Sequence, residues 1–396
     1  MPSSDARSSA TSAKTLTLAA NASFVPIGIV TVLLSPLLPT LSARWSLDYA
    51  QAGALFTAQF LASTVAVSLS GVLVARFGFR FAINAGLIVI AASTAVLLFG
   101  SRIVGIACIA GYGAGSGLSV PAANLLVAEL NPSRRSSALN VLNFAWSAGA
   151  VACPFLVAAA EKAHRLPLLM ECVAGFSLLV MLWIAAMPSG TAEPATPDTA
   201  KTNKPIMNWK QRSVPVLLAL FFLYVGTENA FGGWLAAYAN SMRTMPAAIA
   251  VMTPSFFYGS LTLGRLFAPA LLRKLHEVRL VKLGLLLACL GIVGVTRSHQ
   301  LPSIALSTTV AGLGLASVYP ITISFLSREF GAAAARVGSA AFMMSNLGGA
   351  CLPWLVGLLS TQLGTIRAGL AIPLLGSAAM YVLYLPGWQS KSAELV

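Results

Sequence analysis

The chain is 396 residues long, 57% hydrophobic and only 9% charged, with a formal net charge of +14. A soluble domain carries about 25% charged residues, so this composition excludes a soluble globular protein. The chain belongs in lipid, where a spanning helix needs roughly 20 apolar residues, and its length leaves room for about twelve of them.

Residues 1–14 are rich in Ser and Ala and read as a disordered cytoplasmic N-terminus. They do not form a cleavable signal peptide, because the apolar stretch behind them is longer than an h-region. Twelve spans follow, at about 15–42, 49–76, 80–100, 103–130, 136–160, 165–187, 213–241, 246–272, 279–297, 301–328, 334–361 and 364–386. The expected fold is all-α, with one six-helix half over 15–187 and a second over 213–386. The polar stretch 188–212 joins them as a flexible cytoplasmic linker, and 387–396 is a cytoplasmic tail.

The two halves are related by a repeat. Gly113, Gly115, Pro121, Gly149 and Pro154 recur as Gly312, Gly314, Pro320, Gly348 and Pro353, all at an offset of 199. Duplicated halves are a common construction in secondary transporters, with the solute site at their interface near mid-membrane. A duplicated membrane scaffold, or a receptor without transport, is the competing reading.

The basic charge reports topology. Of the 25 Lys and Arg residues, 17 fall on the same side as the N-terminus, 7 on the other, and Arg265 lies within a span. Cytoplasmic segments carry such an excess, so both termini are expected in the cytoplasm and the chain in the cytoplasmic membrane. A nucleic-acid partner is not expected. The five cysteines lie inside spans without CxxC spacing, as small packing residues rather than metal ligands or a disulfide framework. No P-loop, GxSxG or HExxH pattern occurs. Neither an enzyme nor a cofactor is expected.

Embedded polar residues are the candidate site, since a polar group in a bilayer is costly. On the second span Gln59 is one, and on the fourth Asn124 is the only amide on a face of small residues. The fifth places Asn140 and Asn143 on one face with Trp146 beside them, and the repeat carries the neighbouring Ser147 onto Asn346 of the eleventh. Amides donate and accept, as a polyol requires, although each can equally be interhelical glue.

The strongest candidate is Glu228 of the seventh span, the only acid expected in the middle of a helix. Tyr224, Glu228, Phe231, Leu235 and Tyr238 share a stripe about 80° wide. Rings beside a carboxylate suit a hydroxylated solute: rings cover the apolar faces of a sugar while oxygens take its hydroxyls. An embedded carboxyl is also a group through which a carrier exchanges a proton. Glu228 could instead simply pair with a neighbouring helix. Arg265 of the eighth span is expected to act in gating or structure, either snorkelling to the surface or pairing with an acid or a carbonyl.

Several segments together resemble the major facilitator superfamily over about residues 15–386. GVLVARFGFR at 71–80 is similar to its cytoplasmic loop motif, keeping Gly71, Arg76, Gly78 and Arg80 but with Ala75 where an acid is usual. GIVTVLLSPLLPTLSARWSL, YVGTENAFGGWLAAY, Gly264–Arg265, VYPITISF with Tyr319, and the Gly348–Pro353 region resemble fucose–proton symporters and sodium-dependent glucose transporter-like carriers. The resemblance implies the major facilitator fold and transport of a neutral hexose-like sugar by alternating access, with Glu228 at the position of the acid that hexose-type members carry. Fucose symporter-like members use acids on helices 1 and 4, where this chain has Asn21 and Asn124. That leaves Glu228 to supply any proton coupling. An efflux carrier for amphipathic drugs or metabolites is the alternative. One chain contains both halves, so a monomer is expected.

Overall fold

The computed structural model describes residues 4–187, 213–330 and 334–385. The linker over 188–212 and the tail over 387–396 therefore lie outside the described residues. Among those described there is no strand, and twelve helices are long and apolar enough to cross a membrane. The all-α fold is thus as the sequence implies.

The first span consists of α1 (Ser4–Val32) and α2 (Leu34–Trp45). Helix α1 starts at Ser4, ahead of the expected start at 15, and so runs through the stretch read as disordered from composition. The next five spans are α3 (Tyr49–Phe77), α4 (Phe79–Val96), α5 (Arg102–Leu130), α6 (Arg135–Lys162) and α7 (Leu166–Ala186). Then come α8 (Ser213–Ser241), α9 (Ala247–Leu272) and α10 (Glu277–Arg297). The tenth span is broken into α11 (Leu301–Leu315) and α12 (Val318–Phe330), the eleventh is α13 (Ala334–Leu363), and the twelfth is α14 (Ile366–Gly369) with α15 (Ala371–Leu383).

The two prolines of the repeat have different effects. Pro121 sits inside an unbroken α5, whereas Pro320 follows a break at Ala316 and Ser317. Proline lacks the N–H that would bond one turn back, so both positions leave a carbonyl unserved, but only the second interrupts the helix.

The chain divides into two compact units: Met1–Leu34 with Ala58–Thr202, and Ser35–Thr57 with Asn203–Val396. The boundary differs from the expected halves because α2 and the start of α3 belong to the second unit. There the Ser35 hydroxyl donates to the Gly232 carbonyl at 2.7 Å and the Thr57 hydroxyl to the Ala350 carbonyl at 2.8 Å. Trp234, 1% exposed, donates its indole N–H to the Pro353 carbonyl at 2.9 Å and packs against Tyr49 and Phe56.

Each unit contains the same helix crossings, made by repeated glycines. A methyl at Gly149 would strike the Val25 carbonyl of α1, and one at Gly348 the Phe222 carbonyl of α8. Likewise Gly115 abuts Gly86 of α4, and Gly314 abuts Gly284 of α10. Small residues let helices approach this closely in lipid, where packing rather than the hydrophobic effect drives association. The offset of 199 seen in the sequence is therefore a repeat of helix contacts.

In the loop motif, Gly78 has φ 85° between α3 and α4, a conformation that L side chains rarely adopt. Arg80 donates to the carbonyls of Ile184 at 2.6 Å and Met187 at 2.7 Å. It thereby satisfies carbonyls left open at the end of α7 and places a cation there. Arg76 is exposed on the last turn of α3.

Candidate functional site

In the second unit, α8 and α9 pack side by side, with Phe231 meeting Phe257 edge to face at 5.3 Å. One turn along α8 from Phe231 stands Glu228, and one further turn along stands Tyr224; both are buried, at 8% and 2% exposure. The extended side chain of Arg265 on α9 reaches this level. Its Nη2 donates to the Tyr224 hydroxyl at 3.0 Å and lies 3.6 Å from Glu228 Oε2. Tyr319, half-buried on the first turn of α12 beside the break, packs its ring on Tyr224 at 5.2 Å and edge to face with Phe221 at 5.6 Å. The break in the tenth span thus delivers an aromatic ring to the charged pair.

The structure brings together four residues that the sequence singled out: Glu228, Tyr224, Tyr319 and Arg265. It does so with a partnership that the stripe on α8 alone could not contain, since Arg265 comes from the next helix. Phe231 is wholly buried and presses α8 against α9. Farther along the stripe, the Tyr238 hydroxyl donates to the Val295 carbonyl of α10 at 3.1 Å, which fixes it in packing.

In the first unit, Gln59 is 4% exposed and donates to the Thr31 carbonyl at 3.0 Å. The Thr31 hydroxyl donates to the Ile27 carbonyl at 2.7 Å and accepts the Trp146 indole N–H at 3.4 Å. Gln59 Oε1 is buried without a hydrogen-bond partner, an acceptor left open. The sequence reading named Gln59 and Trp146 but missed Thr31, a one-turn neighbour of Ile27 whose hydroxyl gave no periodic signal.

The remaining amides are spread out. Asn140 and Asn143 are exposed on α6, and the Asn143 amide bonds back to the Leu139 carbonyl at 2.8 Å. Asn124 likewise bonds its own helix, at the Val120 carbonyl, at 2.8 Å. Asn346 is half-buried on α13. The cysteines described are free.

Comparison with known proteins agrees with this architecture. The family profile of the Major Facilitator Superfamily matches residues 21–353. An uncharacterised MFS-type transporter of Yersinia pestis is 23% identical over 72% of this chain and 74% of its own length. A solved nucleoside transporter superposes with a TM-score of 0.77 at 14% identity, covering 94% of this chain and 99% of that one. A D-xylose–proton symporter gives 0.76 at 14%, over 94% and 97%. The E. coli fucose:proton symporter gives 0.63 at 18%, over 93% and 97%.

Proposed function

The chain belongs to the major facilitator superfamily, and on that premise we propose that it carries a hexose-like sugar across the cytoplasmic membrane by alternating access. The observation that supports this reading is the cluster of Glu228, Arg265, Tyr224 and Tyr319. Its acid and base offset one another, so a neutral sugar can enter without an unbalanced charge in a low-dielectric site. The pair and the phenols offer both donors and acceptors, and the rings offer apolar faces.

Gln59, Trp146, Asn124, Asn140, Asn143 and Asn346 are proposed as further solute contacts, with Phe231 supporting the helix that bears Glu228. Glu228 is the proposed proton-coupling group. Arg76 and Arg80 are given gating or structural roles, and both termini face the cytoplasm on the charge asymmetry of the sequence. Two of the solved relatives by fold are described as sugar–proton symporters, which accords with the reading. An exporter of amphipathic drugs needs a mostly apolar wall, and a cluster with this many polar groups favours the sugar.

The test is thermal unfolding of the purified protein against hexoses, amphipathic drugs and organic acids, since a ligand stabilises the state it binds. Stabilisation by hexoses supports the proposal. Stabilisation by drugs alone would move the chain to the efflux class.

A further inference from the structure

We propose, resting on the reading above, that this site also accepts sugars bearing a carboxylate, such as uronates and aldonates, and takes each one together with a proton on Glu228. A guanidinium carries five N–H donors and no acceptor. In Arg265, Nη2 serves the Tyr224 hydroxyl and stands near Glu228 at 3.6 Å, beyond ordinary hydrogen-bond distance. Its Nε is buried with no partner. Arg265 therefore has a buried donor, Nε, left over.

A second ion pair, Arg328 with Glu277, shows what a saturated pair looks like. Arg328 engages both oxygens of Glu277, through Nη1 at 3.2 Å and through Nη2. Arg265 makes no such fork with Glu228. Its Nη2 gives one N–H to Tyr224 and stands 3.6 Å from the acid. The missing partner is a further oxygen acceptor, and the planar acceptor that best matches a guanidinium is a carboxylate.

Charge then fixes the stoichiometry. With Glu228 ionised, the pair is neutral, and an incoming carboxylate would leave one uncompensated negative charge in the bundle, a costly state. With a proton on Glu228, Arg265 is left as a lone cation and the carboxylate neutralises it. One proton from bulk water forms the O–H bond on Glu228 for each sugar acid bound, and no other bond changes. A neutral hexose sets no such requirement on binding, and its proposed coupling lies in the reorientation of the protonated carrier.

The other titratable groups do not offer a substitute acid. Tyr224 on the same helix, Arg265 on α9 and Tyr319 on α12 are the ionisable side chains of the cluster. Of the remaining elements packed on α8, α13 contributes Cys351 among its described side chains, α14 Arg367 and α15 Tyr381. The carboxylate these elements do carry, Glu329 beside Arg328, is on the last turn of α12, at the opposite end of that helix from Tyr319, and Tyr258 of α9 and Tyr238 of α8 are phenols. The α2–α3 connection has Asp48, which caps the Gln51 N–H at 2.7 Å at the start of α3.

The experiment is isothermal titration calorimetry of the purified full chain. The probes are D-glucuronate, D-galacturonate and D-gluconate beside D-glucose and D-galactose, in mildly acidic and neutral buffers of differing ionisation enthalpy. Sugar-acid binding is expected to weaken by about tenfold per pH unit once Glu228 is ionised, with one proton taken up per molecule bound. Hexose binding is expected to take up much less. Glu228→Gln should abolish the proton uptake and make sugar-acid binding insensitive to pH. Arg265→Gln should weaken sugar acids far more than hexoses, and Arg265→Lys, which keeps the charge but not the fork, should fall between. If hexoses bind and the acids do not, or if the acids bind without proton uptake, the inference fails while the sugar carrier stands. If neither class binds, both fall.

Discussion

Arg265 and Glu228 face one another from adjacent helices at 3.6 Å, with the Tyr224 hydroxyl holding the guanidinium at 3.0 Å. The spacing along the chain explains the arrangement. Tyr224 and Glu228 are one helical turn apart and share a face, so a single long cation on α9 can serve both. The arginine makes no bidentate pair with the acid. On the proposed reading, a cluster so loosely joined exchanges an internal partner for a solute.

Removing one charge should cost more than removing both. Arg265→Met leaves the Glu228 carboxylate buried without its cation and is expected to destabilise the fold by about 2–4 kcal/mol, below the fully buried case because the arginine side chain is 27% exposed. Adding Glu228→Gln to that variant should recover most of the loss. Thermal unfolding of the two single variants and the double variant gives the coupling directly. Additive losses would mean that the pair does not interact.

The two tyrosines should separate by chemistry. Tyr224→Phe removes the acceptor for Arg265 Nη2 and is expected to weaken solute binding by about 1–2 kcal/mol. Tyr319→Phe keeps the ring against Tyr224 and should change much less than Tyr319→Leu, which loses the aromatic face. Binding titrations on the three proteins check the order. Equal effects of both Tyr319 variants would remove the ring from the solute site.

The amides can be scored together. Alanine at Gln59, Asn143 and Asn346 is expected to weaken binding by about 1–3 kcal/mol where a polar partner on the solute is left unmade. Unchanged affinity in all three, with normal unfolding temperatures, would assign them to packing and solvation.

The repeated glycines yield a test of the fold. Gly348→Val would drive a side chain into the Phe222 backbone and should prevent stable folding or cost well over the roughly 1–3 kcal/mol of ordinary overpacking. Gly175 on α7 has open space where a methyl would go, so Gly175→Ala is expected to be neutral or to stabilise by about 0.5–1 kcal/mol. Expression level and unfolding temperature distinguish the two.

The twelve spans were legible because lipid demands long apolar runs. The repeat was legible because glycines at helix crossings tolerate no substitute, as Gly149 and Gly348 illustrate. Glu228 stood out as an embedded acid for the same energetic reason. Its partner was less accessible: an arginine near a helix end can snorkel or pair, and only the packing of α8 on α9 decides. The transfer of Ser35–Thr57 to the second unit was invisible, because it rests on hydroxyl-to-carbonyl bonds and on Trp234 stacking. None of these has a periodic signature. The contrast between Pro121 and Pro320 was equally hidden, since a proline frees a carbonyl in both places and the surroundings settle whether the helix continues.

The most direct measurement is sugar uptake into liposomes containing the purified protein, with and without an imposed proton gradient, for the wild type and Glu228→Gln. The wild type is expected to accumulate a hexose when the outside is acidic and to lose accumulation when an uncoupler is added. Glu228→Gln keeps size and hydrogen bonding but cannot titrate, so it should still exchange labelled sugar across the membrane without accumulating it. Wild-type uptake indifferent to both pH and uncoupler would contradict the coupling role of Glu228, and absence of any hexose exchange would contradict the sugar carrier itself.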